Sequence, residues 1–292
     1  MQRSAARYYG DIEEVHAGVD WISASLAENA RDRWAWANDC VSVILDVAKQ
    51  GYDVRPSGLM GYKGVSAGGC FAGDREDSSY LQLSGAHAGA YLTRILRADL
   101  HVSRIDLAVT VKFAEMPGTL GIQARKDATK AAEKSILGTH RRKIYTMEGT
   151  DGGYTLYIGS PSSEQRGRLY NKEVQSDNPD FARCWRYEVV FKNKVAMEVL
   201  TTLSKMPESK IPAFCSDLTA SWYNARGVQT AWIACNDDYV LPIVKNTPSD
   251  AAKKLQWLEK QVKPAFRWLC DHGYTQEALA ALGMEYASSN DM

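Results

Sequence analysis

The stretch HVSRIDLAVTVKF, residues 101–113, has the clearest strand pattern in the chain. Side chains two positions apart point to the same side of an extended backbone. The apolar residues at odd positions would therefore share one face: Ile105, Leu107, Val109 and Val111. Arg104 and Asp106 would lie on the opposite face. The pattern predicts a strand with one buried face and one polar face that can carry chemistry.

A second strand pattern, CWRYEVVFKN at residues 184–193, repeats this arrangement, with Arg186 and Glu188 on its polar face. Two carboxylates on adjacent strands would repel each other unless a cation lay between them. Hard cations such as Mg²⁺ or Mn²⁺ prefer oxygen ligands of this kind. The alternative is that Asp106 and Glu188 each pair with an arginine of their own or a neighbouring strand, as charges on an exposed sheet face do.

Strand and helix patterns are interleaved along the rest of the chain. The segment at residues 28–51 predicts a helix with apolar residues at helical spacing: Trp34, Val41, Ile44, Leu45 and Ala48. Three short strand patterns separated by EGTDGG and SPSSEQ predict a meander before residue 184, and helical patterns dominate after Lys194. The expected fold is α+β: an antiparallel sheet with helices packed on one face, plus a helical C-terminal region. We expect a sheet-based core over residues 1–194 and a helical region over residues 195–292.

Composition indicates a globular protein without a membrane segment. Of 292 residues, 45% are hydrophobic, which is ample for a buried core. The apolar runs are far shorter than the ~20 residues that span a bilayer, and the first residues lack the apolar core of a signal peptide. The six cysteines show no metal-binding spacing, so we expect reduced thiols in a cytoplasmic protein.

Charge is balanced overall but uneven along the sequence. The 35 Lys and Arg residues equal the 35 Asp and Glu residues, yet residues 125–143 carry seven cations against two acids. Arg141, Arg142 and Lys143 form the densest part of this segment, which could hold a nucleic-acid backbone. The alternative is a solvated helix face.

The stretch RGRLYNKEVQ, residues 166–175, places Tyr170 among cations at alternating positions. If the stretch is a strand, Arg166, Arg168 and Lys172 share the face of the phenol. A phenol with a pKa near 10 is about one part in a thousand ionised at neutral pH. Nearby cations would lower that pKa, a divalent ion would polarise a phosphate, and Lys172 could transfer a proton. The alternative is a surface aromatic residue between cationic side chains.

Other reaction classes lack their motifs. The five histidines form no H-x-H or H-E-x-x-H pair, and G-x-x-x-x-G-K-[ST] does not occur. GVSAG at residues 64–68 matches G-x-S-x-G, but it lies among glycine clusters that predict hairpins and not at a strand-to-helix turn. These observations argue against a two-histidine metal site, a P-loop ATPase and a hydrolase with a nucleophile elbow.

The ordered set SRIDLAVTV, TLYIGSPSSEQRGRLYNKEVQ and WRYEVVFKN, followed by LQWLEKQVKPAFRWL, resembles replication initiation proteins of small rolling-circle plasmids and filamentous phages, the Rep_trans type. The resemblance covers roughly residues 19–275. It implies an HUH-like, Rep nuclease-type core and a metal-dependent DNA nicking-closing endonuclease. The tyrosine of such proteins attacks a phosphodiester of single-stranded DNA, stays joined to the 5′ phosphate and frees a 3′ hydroxyl for the polymerase.

Carried onto this sequence, the resemblance implies Tyr170 as the nucleophile, with Lys172 and Arg168 beside it. It implies Asp106 and Glu188 as ligands of Mg²⁺ or Mn²⁺. Arg104 and Arg186, together with Arg141, Arg142 and Lys143, are the expected DNA contacts. One departure is Asn171, which stands where plasmid members often have an acidic residue, so a role of that acid does not transfer.

The expected partners are origin DNA, as a single strand or an extruded hairpin, and a host helicase and polymerase. The alternatives are an origin-binding regulator without catalysis, a relaxase of conjugative transfer with the same chemistry, and an RNA-binding sheet protein. The sequence leaves open the origin, the choice of metal, the type of mobile element and whether the protein forms a homodimer.

Overall fold

The computed structural model describes residues 11–27, 32–96, 100–134, 143–150, 152–176, 178–232, 255 and 257–281. The chain divides into two compact units, Met1–Pro242 and Ile243–Met292. The sheet and the helices that cover it belong to the first unit. The boundary expected from the sequence, after residue 194, stays a prediction; in the structure the first unit extends further.

A ten-stranded antiparallel sheet forms the first unit, with the strand order β2-β3-β4-β5-β1-β6-β10-β9-β8-β7. The strands are β1 (Ile12–Ala27), β2 (Arg55–Leu59), β3 (Tyr62–Ala67), β4 (Cys70–Arg75), β5 (Ser78–Ser84), β6 (His101–Phe113), β7 (Ile144–Glu148), β8 (Tyr154–Ile158), β9 (Gln165–Asn171) and β10 (Cys184–Lys192). The α+β class and the meander of β7, β8 and β9 are confirmed.

The central strand β6 shows why the sheet has two different faces. Its odd-numbered apolar residues are completely buried: Ile105, Leu107, Val109 and Val111. β1 and β10 flank β6, so the polar face of β6 lies in the middle of the sheet.

The helices are α1 (Arg33–Ala48), α2 (Ala86–Ile95), α3 (Leu120–Lys134), α4 (Lys172–Gln175), α5 (Asn193–Leu203) and α6 (Ile211–Asn224) in the first unit. The C-terminal unit contains a π-helical turn (Leu258–Val262), α7 (Lys263–Asp271) and α8 (Thr275–Ala281). The helix predicted within residues 28–51 is confirmed as α1, but its predicted stripe is only partly right. Ile44 is buried as predicted, whereas Trp34, Val41 and Leu45 are exposed. The other buried apolar side chains are Trp36, Cys40, Val43 and Val47.

Helices α5 and α6 cover the apolar face of the sheet. The Val102 amide donates to Met197 Sδ of α5 at 3.1 Å. The Tyr223 hydroxyl of α6 contacts the backbone oxygens of Arg168 at 2.8 Å and Glu188 at 3.0 Å. A Cβ at Gly167 would lie 2.4 Å from the Trp222 ring, so only glycine permits this close approach. These contacts fix the backbone of β9 and β10 from behind.

Two further observations concern membrane segments and cysteines. Among the described residues, no helix is long and apolar enough to cross a membrane. Cys40, Cys70, Cys184 and Cys215 are buried free thiols, and Cys270 is a partly exposed one.

Candidate active site

The register of three neighbouring strands brings the predicted site residues together on the face opposite α5 and α6. Glu188 of β10 lies across from Arg168 of β9, and Arg186 lies across from Tyr170. Asp106 of β6 lies across from Val190, two positions along β10 from Glu188. The two carboxylates and the phenol therefore share one patch of the sheet, as the alternating patterns predicted.

Arginines hold both carboxylates. Arg104 donates two hydrogen bonds to Asp106, from Nε at 2.8 Å and from Nη2 at 2.5 Å, which is the planar fork typical of a strong ion pair. Arg168 forms an ion pair with Glu188 Oε2, and its Nη2 lies 3.9 Å from Asp106 Oδ2. One guanidinium thus contacts both acids. The pairing with arginines that the sequence allowed as an alternative is present.

Tyr170 is a buried residue with 4% exposure, so it is not a surface aromatic. Its hydroxyl donates to Glu188 Oε1 at 2.9 Å. Burial raises the pKa of the Tyr170 phenol well above its ordinary value, and the charge of Glu188 raises it further. The expectation that nearby cations lower this pKa is wrong, because desolvation and the adjacent carboxylate outweigh Arg186.

The two carboxylates are almost fully withdrawn from water, each with 1% exposure. Burial raises the pKa of Glu188 to about 7, against the opposing effect of Arg168. Burial also raises the pKa of Asp106, although Arg104 and Arg168 oppose it. Both acids hold a proton more readily than ordinary carboxylates do.

The sequence pattern did not reveal a third carboxylate, Asp20 of β1. Arg186 donates from Nη1 to Asp20 Oδ1 at 2.8 Å and from Nε to Thr110 Oγ1 at 2.9 Å. The register of β1 against β6 shifts between Val19 and Trp21, so simple alternation does not predict the direction of Asp20. The available signal was an acid within the apolar stretch VDWIS.

Lys172 does not continue β9 as predicted. Asn171 ends the strand and caps α4, its Oδ1 accepting from the Val174 amide at 3.4 Å, so Lys172 is the first residue of that short helix. Its Nζ nevertheless lies 5.8 Å from the centre of the Tyr170 ring. Burial lowers the pKa of Lys172, and the charge of Arg186 lowers it further.

The predicted basic segment lies only partly within the described residues. Arg125, Lys126 and Lys130 belong to α3, and Lys143 is an exposed residue directly before β7. Arg141 and Arg142 fall outside the described residues. The structure therefore places one of the three predicted DNA contacts of this segment.

Aromatic rings lie beside the acids on the same face. Tyr157 of β8 is across from Arg168 in the register. Its ring stacks on Tyr145 with centroids 4.7 Å apart, and the Arg166 guanidinium lies 4.3 Å from the Tyr157 centroid. Stacked rings next to cations are suited to unpaired bases.

The donor atoms at Asp106 and Glu188 fit a hard cation. Mg²⁺ commonly uses one or two carboxylates together with phosphate oxygens and water. Buried Glu188 Oε2 forms an ion pair with Arg168, so a cation bound here would share the carboxylate with that guanidinium. Within the part of the chain that the structure describes, no cluster of three or more His, Cys, Asp or Glu side chains has a metal-binding arrangement. The protein side of such a site would thus be the carboxylate pair.

Comparison with known proteins gives one match at the level of a family. Residues 100–280, more than half of the chain, match the family model Rep_trans, described as replication initiation factor. No curated protein matches the sequence.

The solved structures that show similarity include a replication initiator and a kinase. A rolling circle replication initiator protein from Geobacillus stearothermophilus is 17% identical, with 77% of this chain and 90% of that chain covered and a TM-score of 0.47. An aspartate kinase from Clostridium acetobutylicum is 10% identical, with 68% of this chain and 35% of that chain covered and a TM-score of 0.17.

The family match spans β6 to β10 and therefore includes Asp106, Arg168, Tyr170 and Glu188.

Proposed function

Because the chain belongs to the replication initiation factor family, we propose that it initiates rolling-circle replication by nicking and rejoining origin DNA. The observation that supports this most is the hydrogen bond between the Tyr170 hydroxyl and buried Glu188, within an arginine cluster on the face of the sheet opposite α5 and α6. A phenol, an acceptor for its proton and cations for a phosphate are the groups that strand transfer requires.

Charge at the site favours an anionic substrate. Three carboxylates, at residues 20, 106 and 188, are accompanied by four cations, at residues 104, 168, 172 and 186. A scissile phosphate would supply the negative charge that balances the fourth cation. Arg104 and Arg168 are partly exposed, so their guanidinium groups can reach a backbone phosphate while their acids hold them in place.

In the proposed reaction the Tyr170 oxygen forms a bond to phosphorus while the bond from phosphorus to the 3′ oxygen breaks. The phenol proton moves to Glu188 Oε1, with which it already shares a hydrogen bond. Lys172 supplies the proton that the departing 3′ oxygen needs. The 5′ end remains joined to Tyr170, and attack by a 3′ hydroxyl reverses the steps and closes the strand.

A bound Mg²⁺ or Mn²⁺ ion, held by Asp106 and Glu188, would polarise the phosphate and offset the charge on its non-bridging oxygens. The protein residues have separate tasks: Arg168 orients Glu188, Arg104 orients Asp106, and Lys172 lies over the phenol ring. Because Tyr170 is only 4% exposed, DNA binding has to uncover the hydroxyl before a phosphate can reach it.

The partners we propose follow from the same chemistry. They are the single-stranded or extruded origin and a host helicase and polymerase that use the freed 3′ end, in the cytoplasm. Lys143 is placed to add a contact with the DNA backbone at the β7 end of the sheet.

The test uses supercoiled plasmid DNA that carries the cognate origin, with Mg²⁺ or Mn²⁺. Wild-type protein should convert it to the nicked form, and Tyr170→Phe should bind the origin without nicking it. Tyr157→Phe, on the neighbouring strand, is the matched control and should nick normally. Nicking by Tyr170→Phe would exclude the proposed nucleophile.

A second candidate function is an origin-binding regulator without catalysis. The burial of Tyr170 and its raised pKa favour it, since both make the phenol a poorer nucleophile. This candidate predicts tight origin binding by wild-type protein and no nicking with either metal.

A further inference from the structure

A groove with a volume of about 490 Å³ lies beside the site, where β1 extends past the end of β5. Its lining includes a floor of small residues, an aromatic ring, two cations and the Asp20 carboxylate, which accepts a hydrogen bond from Arg186 at 2.8 Å. The floor includes Gly18, Gly89 and Ala108. Phe181 forms the aromatic part, and Lys172 and Arg186 are the cations.

The floor of the groove is open because Gly18 has no side chain. In the register, Gly18 lies across from Ala108, which in turn lies across from Glu188, so all three belong to one row of the sheet. A Cβ built on Gly18 would meet no atom within 4 Å, and the backbone there is not left-handed. The backbone therefore does not require glycine at this position. What glycine provides is empty space next to the acids.

The ring of Phe181 stands between the two cations. Lys172 Nζ lies 5.0 Å and Arg186 Cζ 5.6 Å from the ring centre. A 3₁₀ turn, Pro179–Phe181, holds the ring, and Asn178 caps that turn by accepting from the Asp180 amide at 2.9 Å. Phe181 is half-buried, so part of its ring remains available to a ligand.

The groove is continuous with the candidate active site. Arg186 lines the groove and is the register partner of Tyr170, and Lys172 lies over the rings of both Tyr170 and Phe181. A ligand with a flat apolar part and an adjacent negative charge fits this surface, since the ring can stack on the flat part and the cations can hold the charge.

We propose that this groove binds the base of one unpaired nucleotide next to the scissile phosphate, with Phe181 as its stacking partner. The inference rests on the proposed function and adds to it a subsite for single-stranded DNA. The volume lies within the ~300–1,000 Å³ range of small-ligand sites, which is ample for one nucleotide. Lys172 and Arg186 hold the phosphate of that nucleotide, and the open floor at Gly18 receives the edge of its base.

The test compares full-length wild-type protein with Gly18→Leu, which fills the groove without changing a charged group. Gly118→Leu is the matched control, because Gly118 also has no atom within 4 Å of an added Cβ and lies outside the groove. A set of origin oligonucleotides, each with one abasic position on either side of the nick, supplies the second variable. Affinity is measured by fluorescence anisotropy and adduct formation on denaturing gels.

Loss of base stacking should weaken binding of the intact oligonucleotide about 5- to 100-fold in Gly18→Leu and leave Gly118→Leu unchanged. For wild-type protein, one abasic position next to the nick should give a similar loss. Combining that abasic position with Gly18→Leu should add little, because both remove the same contact. Phe181→Ala should repeat the result if Gly18→Leu does not fold, and Phe181→Tyr should retain binding.

The outcomes separate the two proposals. If wild-type protein forms the adduct and neither Gly18→Leu nor Phe181→Ala changes affinity or the abasic profile, the groove is not a nucleotide subsite and nicking stands. If the groove variants weaken binding as expected and no adduct appears with Mg²⁺ or Mn²⁺, the subsite stands and the nicking function fails.

Discussion

Glu188→Gln tests the electrostatics of the buried site through the pH dependence of stability. Burial raises the pKa of Glu188 from its ordinary 4.5 to about 7. Between these values the folded protein keeps a proton that the unfolded chain has released. Raising the pH therefore lowers the free energy of unfolding, and this loss is complete above the folded-state pKa.

The size of the effect follows from the two pKa values. At about 1.36 kcal/mol for each tenfold change in proton affinity, moving the pKa from 4.5 to about 7 corresponds to roughly 3 kcal/mol. The amide introduced by Glu188→Gln would carry no titrating proton yet could still accept from the Tyr170 hydroxyl. The loss of stability between pH 4.5 and pH 8 should thus be about 3 kcal/mol larger in wild-type protein than in Glu188→Gln.

The assay is urea unfolding at half-unit pH steps in buffer with a chelator, so that no metal competes for the carboxylate. Comparing the two pH profiles cancels the titrating groups away from this site and any pH-independent cost of the substitution. Glu198→Gln, at an exposed position of α5, is the control and should follow the wild-type profile. Parallel profiles for wild-type protein and Glu188→Gln would show that the Glu188 carboxyl does not have a raised pKa in the folded protein.

Two further predictions concern buried contacts in the first unit. Arg33 is 4% exposed and donates to Asp74 at 2.7 Å and to Ser79 at 3.0 Å. In urea unfolding, Arg33→Met should therefore lower the free energy of unfolding by about 3 kcal/mol. Arg55→Met, at an exposed position, is the control and should have no measurable effect. An equal result for the two arginine variants would contradict a structural role of Arg33. Gly167→Ala should lower the free energy of unfolding by about 1–3 kcal/mol, because its Cβ would lie 2.4 Å from the Trp222 ring. The control Gly118→Ala, whose Cβ would meet no atom within 4 Å, should be nearly neutral. Thermal unfolding compares the two variants, and an unchanged midpoint for Gly167→Ala would contradict the packing of α6 on β9.

The parts of the site that could be predicted from sequence lie on regular strands. Alternation along β6 and β10 correctly placed Asp106 and Glu188 on one face, because side-chain direction in a regular strand depends only on parity. The same rule placed Arg168 and Tyr170 together on β9. Their convergence follows from the neighbouring positions of these strands in the sheet.

The site features that could not be predicted depend on local departures from regular strand geometry and on burial. The register shift in β1 turns Asp20 toward Arg186, and the cap at Asn171 moves Lys172 from the strand into α4. Neither changes the apolar pattern that sequence reasoning uses. The pKa of Tyr170 was predicted in the wrong direction because the sequence shows which charges are near, but desolvation depends on the packed structure.

Helix α1 was predicted as a helix, but of its buried stripe only Ile44 was predicted. Apolar residues occur all around this helix, so the sequence offered two stripes. Packing against β3, β4 and β5 selects the one with Trp36, Ile44 and Val47, and Trp34 stays exposed beside the Arg33 guanidinium.

The most direct test of the account is to locate the covalent bond. Wild-type protein is incubated with its single-stranded origin and Mg²⁺ or Mn²⁺, then digested with trypsin and nuclease and analysed by mass spectrometry. We expect a phosphodeoxynucleotide on the peptide LYNK, residues 169–172, with the modification on Tyr170. A modified tyrosine elsewhere, or nicked DNA without any protein adduct, would contradict it.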